Sequence, residues 1–179
     1  IVRAWVRRGR APVRVLLRRG GELAGEFAAL APTVNLEDEA RRFGGEAEAL
    51  ARLAGTWAQE GFGRVLGNTA VSGDAVAAFH KRGYAAVTLV NEMPTLLQTY
   101  GFHALARQAA EASDVLVFPC REVERIFRAA HGRVTARAVI RPQGVLKPNR
   151  FLGRRGEARR IVTARHGLAA AVYHDLAGC

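Results

Sequence analysis

Short unbroken apolar runs alternate along the chain with longer stretches whose apolar residues recur every three or four positions. The runs are PVRVLL (12–17), PTVNL (32–36), GRVLG (63–67), YAAVTLV (84–90), DVLVF (114–118) and RAVIR (137–141). Each is short enough for a strand, and the stronger ones are continuous, as strands covered on both faces should be. Helical spacing is read between them over 46–60, 72–82, 95–111 and 121–130. Over 95–111, Leu96, Leu97, Tyr100, Leu105 and Ala109 share one apolar face. The alternation predicts an α/β domain on a parallel sheet, with right-handed crossovers. The amphipathic stretch 44–60 lies between two runs and is read as a crossover helix rather than a linker.

One run ends oddly. In LVNEMPTLLQTYG (89–101) the apolar strand stops at Asn91 and Glu92, two groups that are costly to bury, before Pro94 starts a helical pattern. Proline suits a first helical turn, where its missing N–H costs little. Asn68 and Thr69 follow GRVLG in the same way, with Ser72 placed to cap the helix that begins in SGDAVAAF. In parallel α/β sheets ligands gather at the carboxyl ends of strands, where loops face helix N-termini. These polar residues therefore mark a candidate ligand-facing edge. Asn, Thr, Ser and Glu are also ordinary cap and turn residues, and that reading stays open beside the first.

Composition narrows the classes. A chain of 179 residues with 49% hydrophobic content suits one soluble domain of ordinary size. No apolar stretch approaches the roughly 20 residues of a membrane span, and the start IVRAWVRRGR lacks the apolar segment of a signal peptide. A cytoplasmic location is the default expectation. Cys120 and Cys179 lie far apart without any CxxC, which excludes a disulfide framework or thiolate metal site. The five histidines show neither HExxH nor HxH spacing, so no metal is expected. RRGGEL lacks both dinucleotide and P-loop glycine patterns, and no GxSxG surrounds Ser72.

The net charge of +11 invites a nucleic-acid reading until its distribution is considered. Residues 1–20 carry seven Arg and no acid, and 141–179 carry eight basic residues against Glu157 and Asp175. The middle, 21–140, holds twelve bases and fourteen acids. A basic stripe interleaved with aromatics on the folded body is not what this describes. No specific nucleic-acid partner is expected, whereas peripheral contact with a membrane surface is compatible with the Arg-rich ends.

In order, VLGNTAVSGDAVAAFHKRGYAAVTLVNEMPTLLQTYG, ASDVLVFPCREVERIF and AVIRPQGV resemble the N-terminal half of a GT-B glycosyltransferase of the family-4 retaining type. The resemblance covers roughly residues 1–168 and rests on the order of its motifs. It implies a Rossmann-like parallel sheet flanked by helices, one half of a two-domain enzyme that transfers a hexose from a nucleotide-sugar to a glycan or other acceptor. Residues 1–145 would be the acceptor-binding domain, and 146–179 the linker, helix and start of the donor domain. By the same resemblance Asn68, Thr69, Ser72, Asn91 and Glu92 would bind the acceptor, with Glu92 and Asn91 as catalytic candidates. Arg141, Gln143 and Gly144 would form the interdomain hinge. Neither metal nor other cofactor is implied, the nucleotide-sugar being a substrate.

Two features depart from the family pattern. Asn91 stands where relatives carry the His of His-Glu-x-Pro, and an amide can hydrogen-bond a sugar hydroxyl without titrating near neutral pH. IVRAWVRRGRAPVRVLL resembles the first helix and second strand, so the first, central strand is expected to be missing. Its absence predicts exposed strand edges, marginal stability and self-association. An acceptor-side piece is expected to be inactive alone. The alternative is a stand-alone flavodoxin-like or Rossmann-like binding module without catalysis.

Overall fold

A computed structural model describes residues 1–9, 11–132, 134–142 and 153–166. Helix α1 (Val2–Arg8) closes on Gly9 in the left-handed region (φ 57°) and leads to strand β1 (Val15–Leu17). Helix α2 (Ala24–Ala28) and strand β2 (Thr33–Asn35) follow. Asn35 then caps α3 (Leu36–Phe43), its side-chain oxygen accepting the Glu37 N–H at 3.1 Å. Acids fill the first turn of α3 and Arg41 and Arg42 its last, each complementing the helix dipole. Helix α4 (Glu46–Gln59) leads to β3 (Arg64–Gly67), a single 3₁₀ turn at Ala70–Ser72, α5 (Gly73–His80) and β4 (Ala85–Leu89). Then come α6 (Pro94–Thr99), α7 (His103–Ala112), β5 (Val115–Phe118), α8 (Arg121–His131), β6 (Arg137–Ile140) and α9 (Arg155–His166).

All six apolar runs thus contain strands, and every strand pair is parallel. The fold is a Rossmann-like α/β arrangement of parallel sheets flanked by helices. Its sheet is not continuous. β2 pairs with β1, and β3, β4, β5 and β6 pair in that order, but no ladder joins β1 to β3. The break falls where the expected first strand would lie.

Side chains, rather than a backbone ladder, hold the two sheets together. Leu36, Leu50, Leu53, Trp57, Phe79 and Tyr84 form one buried cluster, against which Leu16 of β1, Val34 of β2 and Val65 of β3 all pack. The Tyr84 hydroxyl is satisfied within it by donating to the Ala54 carbonyl at 3.0 Å. A second cluster, with Val90, Leu97, Leu116, Phe118 and Phe127, lies against the four-stranded sheet.

The helix predicted over 95–111 is two helices. Gly101 takes a positive φ of 73°, and the Phe102 N–H turns back to the Leu97 carbonyl at 2.7 Å, so α6 ends at Thr99 and a separate helix, α7, starts at His103. Consequently Leu96 and Tyr100 are exposed, while Ala106 and Ala109 of α7 are buried.

The chain divides into two compact units, 1–142 and 143–179. The expected domain boundary at 145–146 lies outside the described residues. Within the second unit, α9 lies in the part of 146–179 where the resemblance implied a helix, with Ile161 and Val162 exposed.

Candidate functional site

The carboxyl ends of β3 and β4 are built around Gly67. A Cβ there would stand 2.6 Å from Ser72 Oγ and 2.8 Å from Val76 Cγ2, so only glycine lets the strand end approach the start of α5 this closely. The chain then turns through Asn68 and Thr69. Thr69 Oγ1 accepts the Val71 N–H at 3.1 Å and so caps the 3₁₀ turn. Ser72 sits at the N-cap of α5 but does not cap it through its side chain; its hydroxyl donates back to the Thr69 carbonyl at 2.6 Å. The side-chain cap expected of Ser72 on α5 is therefore not formed, and Thr69 caps the preceding 3₁₀ turn instead.

The next strand end meets this loop directly. Glu92 Oε2 accepts the Ala70 N–H at 3.1 Å and the Asn91 N–H at 3.2 Å. The Asn91 side-chain amide donates to the Asn68 carbonyl at 3.1 Å. Asn68, Asn91 and Glu92 thus tie two loops together on one edge through these bonds, while Thr69 and Ser72 bond to each other within the first loop. The polar end of YAAVTLV has a structural cause: Ala70 is fully buried, and its N–H needs the carboxylate as a partner. Asn68 and Asn91 are exposed and Glu92 is half-buried. The exposed side chains of the group are the two amides, Asn68 and Asn91, while the Thr69 and Ser72 hydroxyls are half-buried and bonded within their own loop.

Arg18, just past β1, lies on the same edge. It donates to Glu46 at 2.8 Å and pairs with Asp74 in the first turn of α5, so its charge is engaged within the protein. Arg141, the first of the expected hinge residues, continues β6: its N–H donates to the Phe118 carbonyl at 2.8 Å and its side chain is exposed. Gln143 and Gly144 lie outside the described residues.

Histidine spacing gave no sign of one further cluster. His103 of α7 stacks on His131 of α8 with ring centroids 4.5 Å apart, and His131 also packs on Phe127 at 4.4 Å. Both ring nitrogens of His131 are buried without a hydrogen-bond partner. Burial, then the nearby His103 and Arg107, push its pKa down to about 4. Among the described residues no group of three or more His, Cys, Asp or Glu is placed to hold a metal ion. Cys120 is exposed at the N-cap of α8 and makes no side-chain cap.

Compared with family models, curated proteins and solved structures, the chain matches none. Among the described residues no helix is long and apolar enough to cross a membrane.

Proposed function

We propose that the chain is the acceptor-side part of a GT-B glycosyltransferase, binding a glycan or similar hydroxyl-bearing acceptor at the edge formed by Asn68, Thr69, Asn91 and Glu92. One observation carries this reading. Glu92 locks the loops after β3 and β4 together, leaving the exposed Asn68 and Asn91 on a fixed rim at the carboxyl edge of a parallel sheet. In this role Asn91 hydrogen-bonds an acceptor hydroxyl, and Glu92 is a positioning residue because its carboxylate is occupied by two backbone N–H groups. Asn91 cannot serve as a base, since an amide does not titrate near neutral pH. Deprotonation of the acceptor would fall to the leaving diphosphate of a nucleotide-sugar held by a second domain, reached through the Arg141–Gln143–Gly144 connection.

The test is an NMR titration of the 179-residue chain with a panel of neutral oligosaccharides and, separately, with UDP-glucose and GDP-mannose. An oligosaccharide should shift the Asn68, Thr69 and Asn91 amides, and neither nucleotide-sugar should. Asn91→Ala should weaken that binding about fivefold, the worth of one ordinary hydrogen bond, with the chain still folding cooperatively in urea. Nucleotide-sugar binding at this rim would instead support the stand-alone Rossmann-like module. A rim that responds to no sugar would remove the acceptor site.

A further inference from the structure

We infer that the acceptor site continues along α6 to an aromatic shelf, Tyr100 and Phe102, on which a sugar ring stacks, so that the acceptor is a neutral oligosaccharide rather than a single sugar. The inference rests on the acceptor reading of the rim at Asn68 and Asn91. Tyr100 is 67% exposed, and Leu96, one turn before it on α6, and Phe102 are exposed with it. The rings of Tyr100 and Phe102 stack at 30° with their centroids 6.5 Å apart. Large apolar side chains exposed together mark a contact surface.

The backbone holds these rings in place. Pro94 and Leu97 are buried and seat α6. The Tyr100 N–H donates to the Leu96 carbonyl at 3.0 Å, the Gly101 N–H to that of Gln98 at 3.1 Å and the Phe102 N–H to that of Leu97 at 2.7 Å. Gly101, at a φ of 73°, supplies the left-handed turn that sets Phe102 beside Tyr100. A shelf ordered in advance loses little conformational freedom when a ligand lands on it.

Charge identifies the occupant. Residues 93–106 include no Asp, Glu, Lys or Arg, the longest such run in a chain that is 24% charged. The other exposed side chains of α6 are Thr95, Gln98 and Thr99, two hydroxyls and an amide. On α8, which packs against α6, Arg125 and Arg128 are paired with Glu122 and Glu124. Arg107, the first cation after the run, lies 3.3 Å from His103 Nε2. An anionic lipid surface or a nucleic acid is met by clustered cations, which this surface does not offer. A pyranose suits it: one face of C–H groups packs on the electron-rich face of an aromatic ring, and its hydroxyls pair with amides and hydroxyls. Only Glu92 and Met93 separate Asn91 from α6. Because α6 is about 9 Å long, a few linked sugar rings reach from Asn91 to Tyr100.

The experiment is an NMR titration of the isotope-labelled 179-residue chain with maltohexaose, cellohexaose and mannohexaose, and with glucose and mannose. At least one hexasaccharide should shift the Tyr100, Gly101 and Phe102 amides together with that of Asn91, and bind at least tenfold more tightly than its monosaccharide. Tyr100→Ala should weaken hexasaccharide binding about tenfold, and Tyr100→Phe, which keeps the ring, should not. Both substitutions change an exposed side chain, and a cooperative urea transition checks that each variant folds. Shifts at Asn68 and Asn91 alone, with Tyr100→Ala binding as tightly as the parent chain, would overturn the shelf and leave the acceptor rim standing. Shifts at the shelf alone would overturn the continuous site and the rim with it. Equal binding of hexasaccharide and monosaccharide, or no response to any sugar, would also overturn the inference. Binding to phosphatidylglycerol vesicles that Tyr100→Ala abolishes would assign the patch to a lipid surface instead. Line broadening that grows with protein concentration and disappears in Tyr100→Ala would assign it to a second copy, and either result overturns the inference.

Discussion

Glu92 is legible as important from its residue type and place, because an acid ending a buried strand must be satisfied by something. Its partner is not legible, since the Ala70 N–H lies across the sheet in another loop. Glu92→Ala leaves that buried N–H without an acceptor and should cost about 1–3 kcal/mol in urea unfolding. Glu92→Gln keeps an acceptor oxygen and should cost clearly less, which separates the hydrogen bond from the charge. His131 is the opposite case. No sequence pattern announces it, because its burial arises only where α7 and α8 meet. Its folded pKa of about 4 lies below the ordinary value of 6.5, so the unfolded chain binds the extra proton between those two values. The His131 contribution is complete above pH 6.5 and is lost progressively as pH falls towards 4. His131→Phe, which keeps the contacts with Phe127 and His103 and removes two unsatisfied nitrogens, should flatten the decline in urea midpoint across that window.

Among elements, strands were easier to foresee than helices. Six continuous apolar runs mark them regardless of how the sheet is assembled, whereas α2 and α3 are short and lack a full apolar stripe. The signal for α3 is at its ends: Asn35, the acids Glu37, Asp38 and Glu39, then Arg41, Arg42 and Gly44. Asn35→Ala removes the cap and should lower stability by about 1 kcal/mol in urea unfolding. The break between α6 and α7 escaped the helical pattern because leucine spacing continues through it, and only Gly101 interrupts the backbone. A tighter constraint sits where α5 crosses α7. A Cβ on Gly73 would overlap the Leu105 carbonyl and stand 2.7 Å from the Ala109 nitrogen, both of them backbone atoms. Gly73→Ala should therefore force the two helices apart and destabilise by about 1–3 kcal/mol or more, read from the thermal midpoint. Gly55→Ala, at a half-buried position where a methyl would meet only the Arg82 side chain at 4.0 Å, is the control and should not.

At the scale of the whole molecule, part of the positive charge is paired within the fold, and most of the 27 basic residues lie at the two ends or on separate helix faces. Arg14, Arg18, Arg41, Arg52, Arg125 and Arg128 each pair with a carboxylate, several of them along one helix face. Duplex DNA should accordingly bind only in the non-specific range of about 10⁻⁴–10⁻⁶ M at physiological salt, without preference among sequences, in a fluorescence-anisotropy titration. The divided sheet has an optical consequence. The chain holds two tryptophans, and they sit on opposite sides of the solvent boundary: Trp57 is 6% exposed and Trp5 is 42% exposed. Trp57 lies beneath the Arg14 guanidinium, 5.6 Å from its ring centroid, while Trp5 rides on α1. Steady-state emission should hence be the sum of a blue component that iodide reaches poorly and a red component that it quenches readily. Any event that seats α1 against the sheet would turn the red component blue and leave the other unchanged, so the colour of the protein's own light records where α1 lies.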